Sequence, residues 1–166
     1  MAKEIKGSHK GSGLRFALAV AEFNSFITER LLQGAQRTLK AAGVADDDLT
    51  IAYAPGSFEL PLVAKRLAES DQYDAVICLG CVIRGQTAHY EHVAYGASQG
   101  ILQAGLDTGV PVIFGVLTTE NVEQARARAG DGAANKGVEA AKAALEMATL
   151  LRQLPDADVR GRRFDD

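Results

Sequence analysis

The sequence has no tryptophan, four prolines and only two cysteines among 166 residues. Two cysteines cannot build the disulfide framework of a small secreted scaffold, and they fit a reducing cytosol. No apolar run approaches the ~20 residues that cross a bilayer. Residues 1–13 are polar, with Lys3, Lys6 and Lys10, and lack the apolar core of a signal peptide. No membrane partner and a cytoplasmic location are therefore expected. Positive charge is not in excess either: the net charge is −3 and the pI about 5.6. A nucleic-acid partner, which needs a basic face, is not expected. Internal repeats and interdomain linkers are also missing. What remains is an ordinary globular composition, 47% hydrophobic and 23% charged, in a chain long enough for one core.

Four stretches read as strands: residues 14–20, 49–54, 75–83 and 110–117. The third, Ala75-Val76-Ile77-Cys78-Leu79-Gly80-Cys81-Val82-Ile83, is apolar almost throughout, the mark of a strand buried on both faces of a parallel sheet. Helical periodicity fills the gaps. Ile27, Leu31, Leu32, Ala35, Leu39 and Ala42 share one helix face, with Asn24 or Ser25 as the expected cap and Gly43 as the stop. Ser57 is the expected cap of a second helix bearing Leu60, Val63, Ala64 and Leu67, with Pro61 in the tolerant first turn. A third helix over 91–108 carries Gly96, Ala97, Gly100, Ala104 and Gly105 on one face, which lowers helix propensity and implies a closely packed interface. Thr118 or Thr119 is the expected cap of a short fourth helix, and an alanine-rich fifth runs over 135–154 to Pro155. Alternating strands and helices predict an α/β protein, a three-layer flavodoxin-like fold with a four-stranded, mainly parallel sheet. The folded domain is expected over 14–154, between flexible segments 1–13 and 155–166.

In such a fold the loops after the strands gather at one edge, where ligands bind. These loops are 21–24, 55–59, 84–89 and 118–120. Gly85-Gln86-Thr87 offers N–H groups ahead of a helix, an anion site or simply a cap. His89, with an ordinary pKa of about 6.5, is either an acid/base group or an exposed histidine. His89 and His92 lack a third ligand for a catalytic metal, and His92 reads as surface or interface. Cys78 and Cys81 have redox spacing, but residues three apart on a buried strand face opposite ways and behave as small hydrophobes. Gly130-Asp131-Gly132-Ala133-Ala134-Asn135-Lys136-Gly137 follows a helix and lacks the closing Ser/Thr of a phosphate-binding P-loop. Arg126 and Arg128 read as solvated charges. A response-regulator receiver is excluded, because no aspartate ends the third strand.

Six motifs at these loop positions carry a resemblance. They are Phe23-Asn24, Pro55-Gly56-Ser57-Phe58-Glu59-Leu60-Pro61, Ile83-Arg84-Gly85-Gln86-Thr87-Ala88-His89-Tyr90, Phe114-Gly115-Val116-Leu117-Thr118, Arg128-Ala129-Gly130 and Asn135-Lys136-Gly137. Between about Leu14 and Leu154 the chain resembles the 6,7-dimethyl-8-ribityllumazine synthase family. The resemblance implies a transferase of the penultimate step of riboflavin biosynthesis, condensing 5-amino-6-(D-ribitylamino)uracil with 3,4-dihydroxy-2-butanone 4-phosphate and releasing phosphate and water. It implies no cofactor and no metal. Phe23 then stacks on the pyrimidine; Ser57, Phe58 and Glu59 hold the ribityl chain and ring edge, with Asn24 nearby. Cys81, Val82 and Ile83 give backbone contacts, Gln86 and Thr87 seat the phosphate, and His89 donates the proton. Phe114 and Arg128 enter from a neighbouring subunit, Arg128 as the phosphate's cation with Lys136 in support. Homopentamers are implied, twelve of them in an icosahedral shell, with sites at subunit interfaces and the small-residue helix face packed within the pentamer. Riboflavin synthase is an expected partner. Two other readings compete: a lumazine- or flavin-binding protein without turnover, which has no need of His89 and Arg128, and a mainly structural shell, which has no need of the loops.

Overall fold

The apolar runs form strands β1 (Phe16–Ala21), β2 (Leu49–Ala54), β3 (Ala75–Ile83) and β4 (Val112–Thr119) of one sheet, as seen in a computed structural model that describes residues 1–156. All pairings are parallel and the order is β2-β1-β3-β4. Between them lie α1 (Ser25–Ala41), α2 (Leu60–Glu69), α3 (His89–Thr108), α4 (Val122–Ala127) and α5 (Lys136–Leu151), with 3₁₀ turns at Asp46–Asp48 and Ser57–Glu59. The α/β, three-layer reading of the sequence therefore stands.

Every residue of β1, and all of β3 but Ile83, is buried. Alternate strand residues feed two cores, as a period of two demands. Phe16, Leu18, Val20, Ile77 and Leu79 pack with Ile27, Leu31 and Leu145 beneath α1 and α5. Ala17, Ala19, Val76 and Cys78 pack with Leu60, Ala64 and Ile101 beneath α2 and α3. Cys81 joins the first cluster and Cys78 the second, so the two thiols do face opposite ways.

Several local expectations shift. β4 begins at Val112 and runs to Thr119, and α3 begins at His89, two residues earlier than the periodicity suggested. The cap of α4 is Asn121, whose side chain accepts from the Gln124 N–H at 2.9 Å, in place of either threonine. Asn24 does occupy the N-cap position of α1, but in left-handed backbone (φ 60°, ψ 42°) and with no capping bond. Ser57 lies buried in its 3₁₀ turn and caps nothing. On α3, a Cβ at Gly96 would stand 2.6 Å from the Phe58 ring, and one at Gly100 2.6 Å from Pro61. The close packing read from the small-residue face is thus met at these two positions inside the chain, by the segment opening α2.

At the N-terminus, the Ser8 N–H donates to Thr149 Oγ1 at 2.8 Å, Gln153 Nε2 donates to the Lys6 carbonyl at 2.8 Å, and His9 Nε2 lies 2.5 Å from Glu146 Oε1. Residues 6–9 thereby lie along α5. Of the expected C-terminal tail, residues 157–166 fall outside the described residues.

Candidate active site

The strand order reverses between β1 and β3, and a cavity of about 620 Å³ opens at their carboxyl ends. A switch point in an open α/β sheet leaves such a crevice because successive crossovers depart to opposite faces. The loops after β1, β2 and β3 and the first turns of α3 line it. Of the sequence-derived candidates it gathers Phe23, Ser57, Phe58, Glu59, Cys81, Val82, Ile83, Thr87 and His89. Gln86 lies in the same exposed loop. The loop after β4 does not line the cavity.

The floor is built by strand length. β1 pairs with β3 only as far as Val20 against Leu79, while β3 goes on to Ile83. The end of β3 therefore keeps one backbone edge without a strand partner. Asn24 Nδ2 takes part of that edge, donating to the Cys81 carbonyl at 2.8 Å. This bond explains why Asn24 caps nothing. It fastens the β1 exit loop across the end of β3, and the Phe23 N–H adds a tie to the Pro55 carbonyl at 3.0 Å. Gly80 makes room below, since a Cβ there would stand 2.5 Å from Ser57 Oγ. Above this floor Phe23 and Phe58 are 71% and 60% exposed. Large aromatics left open at a cavity mouth offer faces on which a flat ring could stack.

The far wall is the start of α3. Its leading residues, Gly85 to Ala88, are exposed, and their N–H groups meet no protein acceptor among the described residues. Free N–H groups ahead of a helix of this length attract an anion. His89 is the first residue of the helix, its own N–H 3.4 Å from Thr87 Oγ1, and its side chain is exposed to the cavity.

Charge is one-sided. Glu59 lines the cavity, and among the described residues no lysine or arginine does. Arg84 borders it, but Glu91 at 3.2 Å and Glu120 at 2.8 Å already take its guanidinium. The hydrogen bond to Glu91, then the carboxylate charges, push the pKa of Arg84 up. Burial pushes Cys81 up to about 11 and Cys78 to about 12, so neither thiol is a thiolate at neutral pH. The structural reading of the two cysteines holds. Among the described residues no three His, Cys, Asp or Glu side chains cluster as metal ligands.

Phe114 and Arg128 lie elsewhere. Phe114 is the register partner of Cys78, while Cys81 is opposite Leu117, which puts Phe114 about 10 Å down the sheet from the cavity floor. Arg128 follows α4, whose Ala125 packs with Ala129 in the α1/α5 core on the other face. Conversely, Pro55, Gly56, Tyr90, His92 and Val93 line the cavity and were given no role in the sequence reading. His92 was legible in principle. It stands three residues beyond His89, on the same side of the helix, once the helix is known to start at His89.

The cavity thus combines open aromatic faces, N–H groups at a helix start that are unpaired among the described residues, and the His89 imidazole. No helix is long and apolar enough to cross a membrane among the described residues. A family model for 6,7-dimethyl-8-ribityllumazine synthase matches residues 13–152. The chain belongs to that family, and its activity is that of a transferase making 6,7-dimethyl-8-ribityllumazine from small-molecule substrates in riboflavin biosynthesis.

Proposed function

We propose that this member of the lumazine synthase family works without cofactor or metal, with His89 as its proton-transfer group. The 5-amino group of the ribitylaminouracil attacks the ketone of 3,4-dihydroxy-2-butanone 4-phosphate, and loss of water gives an imine. Phosphate leaves, and the ribityl-bearing nitrogen closes the second ring with loss of water. The substrate amine is its own nucleophile, so the protein has only to align, bind charge and move protons. Phe23 stacks on the pyrimidine, Ser57, Phe58 and Glu59 hold the ribityl chain and ring edge, and the free backbone edge of Cys81, Val82 and Ile83 pairs with the heterocycle. Gln86, Thr87 and the N–H groups before α3 seat the phosphate. His89, at the junction of the two subsites, carries protons between the reacting carbonyl oxygen, the leaving phosphate and water.

One observation supports a shared site above all. Among the described residues the cavity is lined by no lysine or arginine, and neither Arg128 nor Phe114 of the same chain lines it. A phosphate dianion needs charge compensation. We assign it to Arg128 of a neighbouring copy, supported by Lys136, with Phe114 of that copy closing over the ring. The assembly proposed is a homopentamer, twelve of which form an icosahedral shell in the cytoplasm, with riboflavin synthase as a partner. Tyr95, Leu102 and Leu106 on α3 and Leu62 on α2, each more than half exposed, supply apolar surface for association.

The test mixes purified protein with both substrates and follows the lumazine absorbance. A rate no faster than the uncatalysed condensation would overturn the proposal. Light scattering that finds free pentamers would remove the shell.

A further inference from the structure

Arg84 stands outside every role so far, yet three elements meet at its side chain. Its N–H donates to the Thr119 carbonyl at 2.8 Å, carrying the β3–β4 ladder one residue past the strand. Its Nε lies 2.8 Å from Glu120 Oε2, in the loop after β4. Its Nη1 lies 3.2 Å from Glu91 Oε1, and its guanidinium carbon sits 4.6 Å from the centroid of the Tyr90 ring, both in the first turn of α3. A planar fork with several donors holds two carboxylates and an aromatic face at once, which a lysine cannot do.

The residues that follow have little else to hold them. Among the described residues, the only side-chain tie between Arg84 and His89 is the 3.4 Å contact of Thr87 Oγ1 with the His89 N–H, which lies within the loop itself. The remaining bonds there are the opening bonds of the helix, such as the Glu91 N–H to the Ala88 carbonyl at 3.1 Å. Glu91 and Glu120, both paired with Arg84 where that loop begins, would repel a phosphate if their charge were left open. Arg84 answers both needs.

We infer that Arg84 is a positioning residue for phosphate binding. Its guanidinium pins the first turn of α3 to the loop after β4, fixes where Gly85 to Ala88 present their N–H groups, and screens the two carboxylates from the phosphate. The inference rests on the phosphate seat proposed above. The ribityl and pyrimidine subsite is independent of it, because that side is held by the Asn24 bond to β3 and the Phe23 tie to Pro55.

Full-length wild type, Arg84→Ala and Arg84→Lys are compared by steady-state kinetics, varying each substrate in turn, and by calorimetric titration with inorganic phosphate. Arg84→Ala should raise KM for the butanone phosphate about ten- to a hundredfold, the range that loss of fine alignment produces, and leave KM for the uracil within about twofold. Arg84→Lys, which restores charge but not the fork, should recover only part. Inorganic phosphate should bind more weakly to Arg84→Ala in the same proportion. An unchanged phosphate KM, an equal rise in both KM values, or equal phosphate affinity of wild type and Arg84→Ala overturns the inference. A wild type that fails to speed the condensation overturns the proposed function instead, and the titration still decides the role of Arg84.

Discussion

His89 opens α3 with its backbone N–H turned towards Thr87 and its ring turned towards the cavity. Removing one acid/base group costs about 10²–10⁴ in rate at most, and imine chemistry already runs unaided, so His89→Ala should fall at the low end of that range. Full activity in that variant would remove the proton-transfer role. Arg128→Ala should act on the other coordinate, raising KM for the phosphate substrate sharply while kcat changes less. The cysteines make a prediction of a different kind. Burial pushes their thiols to about 12 and about 11 from an ordinary 9.0, so the folded protein should resist a disulfide reagent at pH 8 and react at both sites once unfolded. The raised values also set a sign: stability is intact below pH 9.0 and is lost as pH rises towards 12, because the unfolded chain ionises first. A Cys78→Ala, Cys81→Ala chain should lose less of its melting temperature across that window.

At the scale of elements, Asn135 does the most with one side chain. Only 1% exposed, it accepts from the N–H groups of Gly137 and Val138 at 2.8 and 3.2 Å, capping α5, and donates to the carbonyls of Arg30 and Gly130 at 3.2 and 2.8 Å. It ties α1, α5 and the segment after Arg128 together. Asn135→Ala should cost about 2–4 kcal/mol in chemical denaturation, the sum of a lost cap and of buried carbonyls left open. Gly80 is the matching case in the sheet. A methyl group there meets Ser57, so Gly80→Ala should cost about 1–3 kcal/mol and raise KM for the uracil substrate without touching the phosphate. These elements also mark where sequence reading works and where it stops. The strands and helices were legible because burial on both faces and helical periodicity leave unambiguous patterns. Asn24 was legible as the N-cap of α1, but not that its side chain goes to the end of β3, since a side chain spent there looks the same in sequence as one spent on a helix. Asn121 and Asn135 are caps that were passed over. Their local spacing fits the capping rules, but a threonine and a glycine-rich break nearby fit them as well.

On the scale of the whole molecule, the loops 21–24, 55–59 and 84–89 that supply much of the cavity were legible from the alternation of strands and helices, whereas the part played by the end of β3 came only through the resemblance. The small-residue face of α3 was read correctly as close packing. At Gly96 and Gly100 that packing is against Phe58 and Pro61 of the same chain. A shared site gives the clearest test at this scale. When His89→Ala and Arg128→Ala chains are refolded together in equal amounts, about a quarter of the interfaces in a closed ring should pair an intact loop with an intact arginine, and activity should reappear. Mixtures as inactive as their parents would confine the site to one chain. The missing cation has one more consequence. Under the shared site proposed above, a lone chain would hold the neutral pyrimidine against its aromatics but bind the phosphate weakly, since among the described residues no basic side chain lines the cavity. Newly made subunits would then be charged with one substrate and short of the other until they meet a neighbour. Protein concentration itself becomes the throttle, and specific activity should climb with it and then level off.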